Sequence, residues 1–210
     1  GLSILLLIVL FAAMGQVDHP TLDIVHDFTD PLVDQIGDIG NELGEGLTLV
    51  LISLAVGGIG LWLNSERWKL AGFYSLLAHG ISGLFTQILK HSLSRPRPRL
   101  MDTTPWEIGP TLESGLDSFP SGHTSGSFSV AMVFAYYFPK GRVVWFGLAS
   151  YIALCRVIKG SHFPTDVVGG LLVGIGCGLL LVYTRDTWKE AIAHAFAHGL
   201  PWLVTAFGLL

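Results

Sequence analysis

Thr165-Asp-Val-Val-Gly-Gly-Leu-Leu-Val-Gly-Ile-Gly-Cys-Gly-Leu-Leu-Leu-Val-Tyr-Thr184 carries one charged residue, Asp166, and no proline. Coiled as a helix, a run of this length rises about 30 Å, the thickness of a bilayer's hydrocarbon core. Its glycines (Gly169, Gly170, Gly174, Gly176 and Gly178) suit the close approach of a neighbouring helix. Working outward, five more apolar runs occur at about 1–15, 46–63, 70–92, 121–138 and 142–159. The runs at 46–63 and 142–159 are nearly charge-free as well, the second carrying Arg142, Arg156 and Lys159 only towards its ends. The run at 121–138 opens on Ser121, His123, Thr124 and Ser125, and polar groups at one end of a spanning helix point to function there. The run at 1–15 reads as a further span, since neither a basic flank nor a small-residue cleavage site marks it as a signal peptide.

The whole chain agrees with lipid as its solvent. Of 210 residues, 50% are apolar and only 13% charged, about half the charged share of an ordinary globular domain. A net charge of −4 argues against nucleic acid as a partner. Two cysteines, Cys155 and Cys177, both in apolar runs, are too few for a disulfide framework or a zinc site and read as small buried hydrophobes. The expected fold is all-α: an integral-membrane six-helix bundle, one domain over 1–210.

Residues 18–45 are acidic, with Leu22, Val25, Phe28, Leu32, Val33, Ile36, Ile39 and Leu43 at roughly helical spacing. This predicts a short amphipathic helical segment on the membrane surface, interrupted near Pro31, with no chemistry of its own. Residues 190–210, with His194, His198 and Pro201, read as interfacial. Alternating spans put Arg67, Lys69, Lys140, Arg142, Arg185 and Lys189 on one side and Lys90, Arg95, Arg97, Arg99, Arg156 and Lys159 on the other. The count is a tie. If chemistry holds the second set in place, the first marks the cytoplasm, and the acidic segment is extracytoplasmic.

Three segments then meet at one membrane face: Lys90-His-Ser-Leu-Ser-Arg95-Pro-Arg97-Pro98, Phe119-Pro120-Ser121-Gly122-His123-Thr124, and Cys155-Arg156-Val-Ile-Lys-Gly-Ser-His162-Phe-Pro-Thr-Asp166. Lys90, Arg97 and Arg156 are cations at helix ends, with too few carboxylates nearby to neutralise them all. An anion is their natural partner, and guanidinium groups fork onto phosphate oxygens. Pro120-Ser121-Gly122-His123 precedes a helix whose first N–H groups lack acceptors, and Pro164 suits the first turn of another. An imidazole whose second nitrogen donates to a carboxylate can act as a nucleophile, and His162 and Asp166 are four apart across a helix start. His123 is placed to protonate a leaving alkoxide and later to activate water.

These segments resemble the tripartite signature of the type 2 phosphatidic acid phosphatase superfamily: Lys, six residues, Arg-Pro; then Pro-Ser-Gly-His; then Ser-Arg, five residues, His, three residues, Asp. Lys90 and Arg97-Pro98, Pro120 to His123, and Arg156, His162 and Asp166 match it in order, while Cys155 stands where the family has serine. The resemblance implies His162 as nucleophile, Asp166 as its orienting partner and His123 as acid. It places Lys90, Arg97, Arg156, the Ser121 hydroxyl and the Gly122 backbone on the phosphate oxygens. It also implies no metal and no cofactor, a phosphorylated lipid as substrate, and the outer face of a bacterial inner membrane. Family candidates are phosphatidylglycerol phosphate, phosphatidic acid, undecaprenyl pyrophosphate and lipid A phosphate; a lipid phosphotransferase would use the same site.

The remaining polar residues have plainer readings. Ser121 could instead cap its helix. Arg95 and Arg99 fit an anionic head group or a solvated face equally. Asp102, Glu107, Glu113 and Asp117 read as a solvated loop, His91 as a bystander, and His79 as bonded to another helix. His19, His26, His194 and His198 read as interfacial.

Overall fold

The computed structural model describes residues 14, 16–18, 20, 21 and 30–187, and among them every regular element is helical. Six α-helices follow in order: α1 Pro31–Leu43, α2 Gly46–Trp62, α3 Glu66–Leu93, α4 Gly122–Tyr137, α5 Arg142–Ile158 and α6 Pro164–Tyr183. Single 3-10 turns at Pro98–Leu100 and Pro139–Gly141 complete them. Each expected span from 46–63 onward is therefore a helix, although α3 begins four residues early. The expected span at 1–15, apart from Met14, and the segment at 190–210 lie outside the described residues.

Among the described residues, two helical segments can cross a membrane by length and composition, Pro139–Ile158 and Pro164–Tyr183; α1 and α2, bent by 57° at their junction, count as a third if taken together. That is fewer than the sequence reading expects, and the reason is visible. Helix α4 has only 16 residues, and α3 and α4 carry many polar groups. Those groups face protein: Thr86 Oγ1 and Ser125 Oγ are 2.8 Å apart, and Ser82 donates to Ser129 at 3.1 Å. His79 departs from expectation. Its Nδ1 is buried without a hydrogen-bond partner among the described residues, and the ring packs against Gly126.

Helix α4 is the hub. Val133 joins Tyr74, Ala78 and Leu181 in one cluster, Val130 and Phe134 join Leu49 and Ala71 in a second, and Phe128 and Ala131 join Ala149 and Ala153 in a third. Its contact with α6 depends on small residues. A Cβ at Gly170 would lie 2.6 Å from the Ser121 carbonyl oxygen, and one at Gly174 only 2.4 Å from that of Ser125. Backbone cannot yield as a side-chain tip can, so Gly174→Leu should destabilise the bundle by about 1–3 kcal/mol. Gly176, also expected to pack, faces open space, as does Gly58. Thermal unfolding in detergent should show a lowered midpoint for Gly174→Leu and an unchanged one for Gly176→Leu.

Helix α1 starts where Pro31 predicts, with Asp30 accepting from Leu32 N at 2.7 Å. It seats its glycines on α5, Gly37 against the Lys159 stem and Gly40 against Cys155. Leu32, Ile36 and Ile39 are left exposed, which is the face an interfacial helix offers to lipid.

Candidate active site

The loop after α3 folds back over the helix end. Ser94 closes α3 in a left-handed conformation (φ 50°), Trp106 Nε1 donates to Leu93 O at 2.8 Å, and Thr111 N donates to His91 O at 3.0 Å. His91 Nδ1 lies 2.9 Å from Thr111 O, so this histidine ties the loop down. Asp117 corrects the reading of a solvated loop. Arg97 donates to both of its oxygens, Nε to Oδ1 at 2.8 Å and Nη2 to Oδ2 at 2.7 Å. Lys90 Nζ lies 3.7 Å from Oδ2 and donates to the Asp117 carbonyl. Burial alone would raise the Asp117 carboxyl, but the Arg97 hydrogen bonds and the charges of Lys90 and Arg97 hold it well below the usual range. Asp117 thus holds Lys90 and Arg97 in one geometry.

A cis Phe119–Pro120 bond leads into α4. Ser121 N donates to the Asp166 carbonyl at 3.0 Å, joining the starts of α4 and α6. The Ser121 side chain makes no cap; it is buried, and its Oγ accepts from Thr124 at 3.0 Å. Gly122 does have open space before it, since the nearest atom to a Cβ there would be Thr86 Cγ2 at 3.9 Å.

His162 and Asp166 sit where α5 passes to α6. The chain turns back so that His162 N donates to the Arg156 carbonyl at 3.2 Å, and both side chains are buried. His162 Nδ1 faces Asp166 Oδ2 at 3.4 Å, an ionic contact without the alignment of a hydrogen bond. Asp166 Oδ2 also accepts from Phe163 N at 2.9 Å and Ser118 Oγ at 2.5 Å. Burial pushes the His162 imidazole below its ordinary range although Asp166 pulls it up, which favours the neutral, nucleophilic form. Lys90 and Arg156 act electrostatically on His162, and Arg156, His162, Lys90 and Arg97 on His123. Five of the expected side chains therefore lie within electrostatic reach of one another, with Asp166 beside His162.

Arg156 shows what such a pocket lacks. One guanidinium nitrogen donates to Asn41 of α1, but its Nε is buried with no partner among the described residues. Asn41 has no signal in the sequence; only the docking of α1 brings it here. Cys155 belongs to that docking. Its Sγ points at the Ile36 carbonyl at 3.6 Å, beside Tyr151 Oη, which donates to the same oxygen at 2.7 Å. It packs the α1–α5 seam. Lys159 reaches Asp34 and Asp38 of α1 at 3.3 and 2.9 Å. Arg95, left open by the sequence, is neither solvated nor free: it is buried against Asp166. Arg99 makes no contact that assigns it a part.

The profile of the PAP2 superfamily matches residues 71–190. The chain belongs to the PAP2 superfamily. It is 35% identical to a lipid A 1-phosphatase of Rhizobium johnstonii, over 57% of this chain and 54% of that protein. A lipid A 1-phosphatase of Rhizobium etli is 31% identical over 76% of this chain and 79% of its own length. Phosphatidylglycerophosphatase B of Bacillus subtilis is 28% identical over 72% and 76%. The crystal structure of a transmembrane PAP2-type phosphatidylglycerolphosphate phosphatase from Bacillus subtilis shares the fold. It superposes with a TM-score of 0.68 at 24% identity, covering 88% of this chain and 94% of that one. With its membrane-crossing helices, this PAP2 chain is an integral membrane protein.

Proposed function

We propose that this protein is a membrane lipid phosphatase that cleaves a phosphomonoester or pyrophosphate of a lipid through a phosphohistidine on His162. The observation that carries this reading is the neighbourhood of His123. On one side lies the cationic cradle. On the other, a groove of about 90 Å³ runs down between α2, α4 and α5, lined almost wholly by apolar side chains such as Leu49, Ile52, Phe134, Trp145 and Leu148. Leu43, Ser127 and Ile152 line its end near His123: Ile152 and His123 flank Gly44, and Ser127 Oγ donates to the His123 carbonyl. A phosphoryl group in the cradle would leave its hydrocarbon chain in that groove, and a water-soluble phosphate would gain nothing there.

The chemistry follows from the placement. Lys90, Arg97 and Arg156 hold the phosphoryl oxygens, with the Gly122 N–H at the helix start. The Ser121 hydroxyl, which accepts from Thr124, keeps its own O–H to donate to them. His162 Nε2 attacks phosphorus while Asp166 steadies the charge at Nδ1. As the P–O bond to the leaving group breaks, His123 gives that oxygen a proton. Water then attacks the phosphohistidine, its proton passes to His123, and phosphate leaves. Three cations and two helix starts supply the charge stabilisation that a metal provides elsewhere.

Helix α3 and α4 bury their polar groups inside the bundle, which supports reading α2 to α6 with the amino-terminal segment as six spans. The site then faces the exterior of a bacterial inner membrane. Phosphatidylglycerol phosphate, phosphatidic acid and undecaprenyl pyrophosphate remain substrates to test. The names of the Rhizobium relatives favour a lipid A 1-phosphate as a second reading.

The test is phosphate release from a panel of these lipids, with glycerol phosphate as the soluble control and chelator throughout. The expected result is turnover of lipid phosphates alone, inhibited by orthovanadate. Activity lost to chelator, or equal on glycerol phosphate, would overturn the reading. Label passing from substrate to a second lipid instead of water would make the protein a phosphotransferase.

A further inference from the structure

The family signature includes Asp166 but leaves out two heavily bonded charges linked to it, Arg95 and Asp18. Asp166 is wholly buried, and its Oδ2 serves Phe163 N, Ser118 and His162. Its Oδ1 is held by Arg95, whose Nη1 donates to it at 2.5 Å and to Thr165 Oγ1 at 2.8 Å. The other end of the guanidinium, Nη2, donates to Asp18 Oδ2 at 2.5 Å. Asp18 is itself wholly buried and accepts from Thr165 N at 3.1 Å and Thr165 Oγ1 at 2.5 Å. The guanidinium lies over the Phe163 ring at 4.1 Å and the Trp106 ring at 5.2 Å. A flat, forked cation is thus fixed in plane and at both ends.

We propose that Arg95 and Asp18 are positioning residues for the reaction, holding Asp166, and through it His162, in the attacking geometry. Lys90 is close enough to act on Asp166 electrostatically, so an Asp166 released from Arg95 would have a competing cation to turn towards. Arg95 by itself would also neutralise Asp166 and weaken its support of the positive imidazole that forms when His162 takes the phosphoryl group. Asp18 corrects that: Asp18, Arg95 and Asp166 together carry one net negative charge, directed at His162. The other charged and titratable groups acting on His162 are Lys90 and Arg156, with His123 across the pocket. The pair also ties the amino-terminal segment to the reaction centre, across 147 residues from Asp18 to Thr165.

This inference rests on His162 being the nucleophile, and the experiment separates the two. Wild type, Arg95→Met, Arg95→Lys and the near-isosteric Asp18→Asn are compared in detergent. Kinetic constants on a lipid phosphate, the pH profile of kcat/KM and rapid-quench trapping of radiolabelled phosphohistidine are the measurements. Arg95→Met should lower kcat about 10–100-fold with KM little changed, and Arg95→Lys should recover part of it. Asp18→Asn should lower kcat about tenfold and move the acid limb of kcat/KM to lower pH, since His162 becomes less basic. If Arg95→Met fails to fold, the shift in Asp18→Asn decides alone. Labelled wild type with unchanged kcat and pH limb in a folded Asp18→Asn or Arg95→Met would overturn the positioning role alone. Unlabelled but active wild type would instead overturn the phosphohistidine reading.

Discussion

His162→Ala should release no phosphate above background from any lipid, a fall of about 10⁴-fold or more, since removing a nucleophile typically disables the whole catalytic unit. The protein should still fold. Asp166 keeps its bonds from Arg95, Ser118 and Phe163 N, so no buried carboxylate is stranded. The lost imidazole is already short of a hydrogen-bond partner at Nδ1. An unfolding midpoint near that of wild type, with no radiolabel retained on rapid quenching, is the expected pair of results. Turnover within tenfold of wild type would mean that water attacks phosphorus directly, leaving His162 to serve only as a wall of the cradle.

The helices were legible because each long apolar run had to satisfy its own backbone in lipid, and the helix bounds read between residues 46 and 184 needed little adjustment. The site was half legible. Lys90, Arg97, Gly122, His123, Arg156, His162 and Asp166 announce themselves by charge or by position at helix ends. Their supports do not. Asp117 lies 27 residues from Lys90 in a loop rich in acids, and only the fold-back over α3 distinguishes it from Glu113 or Asp102. Asn41 reaches Arg156 across 115 residues because three glycines let α1 lie flat on α5 and beside His123. Ser121 fits phosphate by type, and the fold adds that its oxygen accepts from Thr124. One signal for Arg95 and Asp18 was present and weakly used. A charge beside an apolar run is costly unless paired, and each of these lies next to one.

His123→Ala tests the other half of the chemistry, and its effect should depend on the substrate. A lipid alkoxide is a poor leaving group and needs its proton as the P–O bond breaks. Loss of the general acid should therefore cost about 10²–10⁴-fold on a lipid phosphate. An aryl phosphate such as p-nitrophenyl phosphate leaves as a stabilised anion and needs no proton. The first step should then be far less affected, and phosphohistidine should accumulate because water lacks its base. Position supports this division. His123 stands in the first turn of α4, within electrostatic reach of His162, and flanks Gly44 together with Ile152 of the apolar groove, where on the proposed reading the leaving oxygen of a lipid would lie. Burst kinetics with the aryl substrate would read the effect: a stoichiometric burst followed by a slow steady state. Equal losses on both substrates without a burst would remove His123 from proton transfer and make it part of the phosphate cradle.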